Sequence, residues 1–352
     1  MSLQARTLTL DRSDLSARQA GFDSLPVIDI ADLGCPDPAR RLAVADAIGV
    51  ACRDVGFFYI TNHGIPQAEI DEVYRQAAAF YALPMAEKLR YDINDCGRHR
   101  GYVAIGGLAA DAHDAAAFDF HEAFEVSLEL PPTDADYLAG NLMYGPNVWP
   151  QTPADFRPVV YRYFEQVRAL GHRLFRGFAL ALGMPEDFFE DKIDKPMAQL
   201  RVLHYPPQPE PIDPRHIGVG AHTDYECFTI LATSAPGLQV QNSAGDWIAA
   251  PPVPGAFVIN VGDIMARWTN DVFLSTVHRV INTSGGDRYS LPFFFGANYH
   301  AEVRCLPSCE SLEHPARYPP ITAGEWTVAN ITAAYGYREQ AREGAPATDP
   351  QA

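Results

Sequence analysis

His222 and Asp224 stand two positions apart in GAHTDYECFTIL, inside text that is apolar and β-branched. On a strand, residues two apart face the same side, so one imidazole and one carboxylate would point together. A second imidazole, His278, follows 54 residues after Asp224 in STVHRVIN, another strand-like run. Two histidines and one carboxylate on one face of an ion leave coordination positions open, the donor set of non-haem Fe(II) oxygenases. A structural zinc site would instead close its shell with four protein ligands, usually including thiolate. Ten residues past His278 comes Arg288-Tyr289-Ser290, where the same alternation puts a guanidinium and a hydroxyl on one face. That pair suits a carboxylate held in a pocket. Tyr205, in HYPP, could add a phenol to the same acceptor.

The HxD spacing alone is weak, because His300-Ala301-Glu302 repeats its form. Only His314 follows that second pair, with no Arg-x-Ser behind it, so surface or core roles are assigned to it. His63, in TNHGIP, reads as a turn residue, and His204 should face away from Tyr205 by alternation. Gly218-Val219-Gly220 lacks the strand–GxGxxG–helix context of a nucleotide loop and is set aside.

The elements that must position these residues follow from the pattern along the chain. Residues 1–24 are polar and read as a flexible arm. LPVIDI at 25–30 and GFFYITNHGIP at 56–66 read as strands, with helices over 39–56 and from Gln67 onward. Residues 91–154 look irregular and rich in Gly, Ala, Asp and Pro, the texture of a functional loop. The longest helix is expected over 154–184, with Val160, Phe164, Val167, Leu170, Leu174, Phe178 and Leu182 as its core stripe. From about residue 198, short strands separated by Pro, Gly, Asn and Asp predict a barrel or double-sheet sandwich. A last helix should start at Thr322, which has capping-box spacing to Glu325. The organisation is therefore α+β: a helix-and-strand region to 197, a strand core over 198–300, and an extension over 301–352, with one structural unit from 25 to about 340.

Composition narrows the partners. Of 352 residues, 47% are hydrophobic and 20% charged, ordinary for a globular chain with a sizeable core. A formal charge of −17 argues against nucleic acid and against an anionic membrane surface. No run reaches the ~20 apolar residues of a membrane span, and the N-terminus lacks a secretory pattern. Six scattered cysteines without CxxC suit free thiols in a reducing compartment, so a cytoplasmic location is expected.

The ordered series His222-x-Asp224, His278, Arg288-x-Ser290 resembles the 2-oxoglutarate/Fe(II) dioxygenase superfamily, in its isopenicillin N synthase-like branch. LPVIDI, VGFFYITNHGIP, RGYV, HYPPQPEP, GLQVQN, PGAFVINVGD and RWTND carry the likeness from about residue 25 to 340. The resemblance implies a distorted double-stranded β-helix, or jelly roll, with supporting N- and C-terminal helices. It implies Fe(II) on His222, Asp224 and His278. It also implies 2-oxoglutarate held by Arg288, Ser290 and Tyr205, and O2 as co-reactant. The expected enzyme is a dioxygenase, an oxidoreductase that hydroxylates, desaturates or cyclises a small organic substrate with release of succinate and CO2. Asp224 disfavours halogenation, since related halogenases lack that carboxylate. Two alternatives stay open: an Fe(II)/O2 oxidase in which Arg288 and Ser290 hold the substrate's own carboxylate, and a non-catalytic binding protein. Leu203 departs from the family, where Asn usually stands two positions before the tyrosine. Tyr102, Phe124, Phe228, Trp268 and Phe295 are the aromatic residues expected to wall the substrate pocket.

Overall fold

Asp37 accepts a hydrogen bond from the Ala39 amide at 2.9 Å, and Pro38 follows it, so the first helix begins where cap and proline both favour it. The computed structural model describes residues 25–106 and 118–334. Its first half runs β1 (Val27–Asp29), α1 (Pro38–Asp54), β2 (Phe57–Thr61), α2 (Gln67–Tyr81), α3 (Met85–Lys88), β3 (Gly101–Val103), β4 (Glu122–Ser127), α4 (Ala135–Leu138) and α5 (Phe156–Ala181). Then come β5 (Pro196–Tyr205), β6 (Val219–His222), β7 (Phe228–Thr233), β8 (Leu238–Gln241), β9 (Trp247–Ala249) and β10 (Ala256–Val261). The chain continues through α6 (Asp263–Trp268), β11 (His278–Val280), β12 (Arg288–Asn298), β13 (Glu302–Val303), β14 (Ile321–Thr322) and α7 (Ala323–Ala334). At α7 the capping box forms in both directions: Thr322 N donates to Glu325 Oε2 at 3.0 Å, and Glu325 N donates to Thr322 Oγ1 at 3.1 Å.

Two sheets form the α+β jelly roll. One is eight-stranded in the order β1-β2-β10-β7-β12-β5-β4-β3, the other four-stranded in the order β6-β11-β8-β9. Four strands of the large sheet come from residues before 197, so the first region completes the same sheet as the strand core. The region at 91–154, expected to be irregular, contributes β3 and β4. Glu122 and Glu125 hide β4 in the sequence, because each is buried on an ion pair rather than set in an apolar run.

The large sheet has one apolar face and one polar face. On the apolar side, α5 lays Phe175 against Phe228 and Phe295, with ring centroids 5.0 and 5.2 Å apart. Gly171 of the same helix lets Phe295 approach so closely that a Cβ there would meet its ring at 2.2 Å. Tyr102 and Phe124 pack on Phe80 of α2 at 5.9 and 5.1 Å. Trp268 lies on Phe189 at 5.2 Å, its indole N–H donating to the Glu302 carbonyl. These five aromatics, expected to wall a pocket, are buried in packing contacts. They are structural core, four of them on the helix side of the sheet.

Because Phe295 is fully buried among rings, Phe295→Ala should cost about 3–5 kcal/mol of stability. Equilibrium urea unfolding checks this. A loss below about 1 kcal/mol would contradict the packing described.

Candidate metal centre

The opposite face is built from alternate residues of the same strands. In β12 these are Arg288, Ser290, Pro292 and Phe294; in β5 they are Tyr205, Leu203, Arg201 and Gln199. The register sets Arg288 opposite Tyr205, Ser290 opposite Leu203, and Phe294 opposite Gln199. On the other side of β12, Ser290 pairs with Thr233 and Phe294 with Thr229.

His222, at the end of β6, pairs directly with His278 of β11, and their ring centroids lie 4.3 Å apart. Asp224 follows β6 and places Oδ1 3.5 Å from His222 Nε2 and 3.6 Å from His278 Nε2. One donor atom from each of the three lies within 4.8 Å of the others, and this is the one such cluster among the described residues. Each imidazole is oriented from behind. His222 Nδ1 bonds the Gly220 carbonyl at 2.8 Å and His278 Nδ1 the Thr276 carbonyl at 3.1 Å. A carbonyl only accepts, so both Nδ1 atoms carry the hydrogen and both Nε2 lone pairs face Asp224. The Asp224 carboxylate is divided in the same way. Oδ2 accepts from Asn260 Nδ2 at 2.6 Å and from the Thr229 hydroxyl, leaving Oδ1 for the cluster.

The charge states follow from burial and from one another. Burial alone would raise the Asp224 carboxyl, but His278, His222 and Thr229 outweigh it and hold it below the usual carboxylate range. His278 is pushed down to about 4, chiefly by burial. An anionic carboxylate with imidazole lone pairs on one small space is a donor set that fits Fe(II).

Arg288 is buried, its Nε donating to the Ala235 carbonyl at 3.1 Å and one terminal nitrogen to Thr233 Oγ1 at 2.7 Å. Its other terminal nitrogen, Nη1, is buried with no protein partner among the described residues. The guanidinium lies 4.6 Å over the Tyr205 ring, and Ser290 Oγ donates to the Tyr205 hydroxyl at 3.2 Å. Gly237 makes room for it: its φ is +145°, and a Cβ there would come within 3.0 Å of Arg288 Nε. A buried guanidinium with an unmet donor is a built place for a carboxylate. All six residues expected at the metal and its anchor thus fall on one interior.

Sequence reasoning missed Asn260, Thr229, Thr233, Arg201, Glu125 and Phe294. Arg201 and Glu125 form a buried ion pair at 2.6 Å, and Phe294 is partly exposed to the interior. Parity was the available signal, since Phe294 shares the face of Arg288 and Arg201 shares that of Tyr205. As expected, His204 faces away, bonded to Glu122 and Asp287. His300 makes an exposed ion pair with Asp136 at 2.7 Å.

Comparison with known proteins points the same way. Residues 25–152 match the family described as non-haem dioxygenase in morphine synthesis N-terminal, and residues 196–297 match the 2OG-Fe(II) oxygenase superfamily. The chain is 36% identical to the 2-oxoglutarate-Fe(II) type oxidoreductase hxnY of Emericella nidulans, across 89% of this chain and 91% of that protein. It is 37% identical to the homoarginine-6-hydroxylase 2-ODD-C23.1 of Arabidopsis thaliana, across 82% and 89%. Its structure resembles full-length Neurospora crassa T7H in complex with alpha-KG and thymine, with TM-score 0.78 and 29% identity over 88% of this chain and 96% of that one.

Asn260→Ala removes a donor that fixes the Asp224 carboxylate, and should weaken divalent-metal binding roughly 10–100-fold. Anaerobic Fe(II) titration of the metal-free protein reads the change. Unaltered affinity would show that Asn260 does not orient a ligand.

Proposed function

This chain belongs to the 2OG-Fe(II) oxygenase superfamily, and from that premise we propose that His222, Asp224 and His278 hold its iron while Arg288, Ser290 and Tyr205 hold the far carboxylate of 2-oxoglutarate. The enzyme is an Fe(II)- and 2-oxoglutarate-dependent oxygenase acting on a small molecule. The observation that carries the residue assignment is the buried Arg288 Nη1, which has no protein partner among the described residues while Nε and the other terminal nitrogen are both bonded. When bound, iron with 2-oxoglutarate and O2 supplies the oxidising power to break a substrate C–H bond, with succinate and CO2 as coproducts.

The chain's own residues position and shield. Gly220 and Thr276 keep both histidine hydrogens away from the centre, so the lone pairs stay available without a tautomer change. Asn260 and Thr229 prevent the carboxylate from rotating. Thr233 and Ala235 fix the guanidinium plane, and Tyr205 lies along its face.

Beyond the anchor, the interior offers the Phe294 ring and the Arg201–Glu125 pair. We infer a substrate that combines a flat or chain-like apolar part with nitrogen donors and acceptors, oxidised by hydroxylation. Homoarginine, in the name of one relative, and thymine, in the T7H complex, both have that chemistry. The six cysteines are free, which fits a reducing, cytoplasmic setting, and no helix among the described residues is long and apolar enough to cross a membrane.

Anaerobic visible spectroscopy tests the assignment. A charge-transfer band should need both Fe(II) and 2-oxoglutarate. Arg288→Ala should raise the 2-oxoglutarate concentration needed by about 100-fold, the scale of a lost buried charge-assisted bond. No band despite proven iron binding would reassign Arg288 to the substrate's own carboxylate.

A further inference from the structure

The row that holds Arg288 and Tyr205 has a third member. The register of β4 on β5 pairs Glu122 with His204, so His121, one residue earlier, falls beside Tyr205 on the interior face. Their ring centroids are 5.6 Å apart. His121 is 2% exposed. Its Nδ1 is committed to the Gly218 carbonyl at 2.7 Å, which stitches β4 to the strand that carries His222. Its Nε2 is buried and has no partner among the described residues. The next row of the same face is Leu203 beside Ala123, neither of which offers a polar side-chain atom.

We propose that His121 is a positioning residue for the cosubstrate, its Nε2 donating to an oxygen of 2-oxoglutarate bound beside Tyr205. This rests on the site assignment above. A carboxylate or keto oxygen only accepts, and Nδ1 already spends its hydrogen on Gly218, so Nε2 must take one proton from solvent as the dianion enters. The groups facing the ring are Arg201 from β5, His222 from β6 and Tyr205, with Glu122 adjacent on β4. In the ligand-free protein, burial and then the charge of Arg201 push His121 down to about 3, with His222 acting in the same direction. An anion bound among these groups opposes the effect of the Arg201 charge.

The test uses the full chain loaded with Fe(II) under anaerobic conditions and titrated with 2-oxoglutarate alone. The charge-transfer band gives the Kd, and calorimetry in two buffers of different ionisation enthalpy gives the protons taken up. His121→Leu should raise the Kd about tenfold or more. His121→Gln, whose amide donates without a charge, should stay within about threefold of the parent and lose the proton uptake. Parent-like affinity in an iron-loaded His121→Leu protein would overturn the proposal. So would equal weakening in both variants together with no proton uptake by the parent, the signature of a merely structural role. If His121→Leu does not fold, His121→Gln and the parent's proton count decide alone. A parent with no band strikes the site assignment itself and is distinguishable from either result.

Discussion

Strand β12 runs between β5 and β7, and its register there is the constraint on which both halves of the molecule depend. A shift by one residue would turn Arg288 and Ser290 out of the interior and bring Tyr289 and Leu291 in, since side chains alternate with a period of two. What prevents the shift is the other face. Phe293 and Phe295 are locked into rings from α5 and β7, and moving them inward would expose several buried aromatics at once. The apolar side thus fixes the polar side. Gly171 belongs to the same logic, because α5 can lie close enough to grip Phe295 only where a side chain is missing.

The interior gathers groups that are costly without their ligands. It buries Asp224, the His278 imidazole and a guanidinium with an unmet donor, with His222 half-buried beside them. Burying charge without compensation opposes folding. Here each group is partly compensated by a fixed neighbour: carbonyls behind both histidines, Asn260 and Thr229 on one carboxylate oxygen, Thr233 and Ala235 on the guanidinium. In each case one atom is left over, and the leftover atoms point into the same space. Local rules of satisfaction break where function requires it. The helix-packed aromatic core offsets the cost, and it is placed on the far side of the sheet where it does not fill the pocket.

The His–Asp–His cluster and the Arg288–Ser290 pair were legible as groups sharing one interior because their signal is local: His222 with Asp224, and Arg288 with Ser290, each lie within three residues. The long helix was legible because its stripe runs unbroken, and α7 because Thr322 and Glu325 form a local box. Which aromatics line the interior was not legible, since aromatic residues signal burial but not which face they bury on. Phe294 and Phe295 are equivalent by type and are separated only by parity from Arg288. Strand β4 was obscured for a related reason. Its glutamates look like loop residues, yet Glu125 faces Arg201, while Glu122 on the other face ties Lys88, Tyr102 and His204 together. Asn260 and Thr229 carried no local mark at all, because their partner is Asp224, and only the folded register brings β7 and β10 beside it.

One straight element also orders the chemistry in space. Arg288 and Phe294 are six residues apart on β12, about 20 Å along an extended strand. The triad meets the same face through Thr229, which pairs with Phe294 and bonds Asp224. Arg288 therefore lies at one end of this row and Phe294 at the other, with Arg201 of the neighbouring strand between them. A rigid backbone fixes these separations, so none of them depends on a loop closing. Substrate preference can then change through interior residues such as Arg201, Glu125 and Phe294, while the Gly220, Thr276 and Asn260 contacts that orient the metal ligands stay untouched.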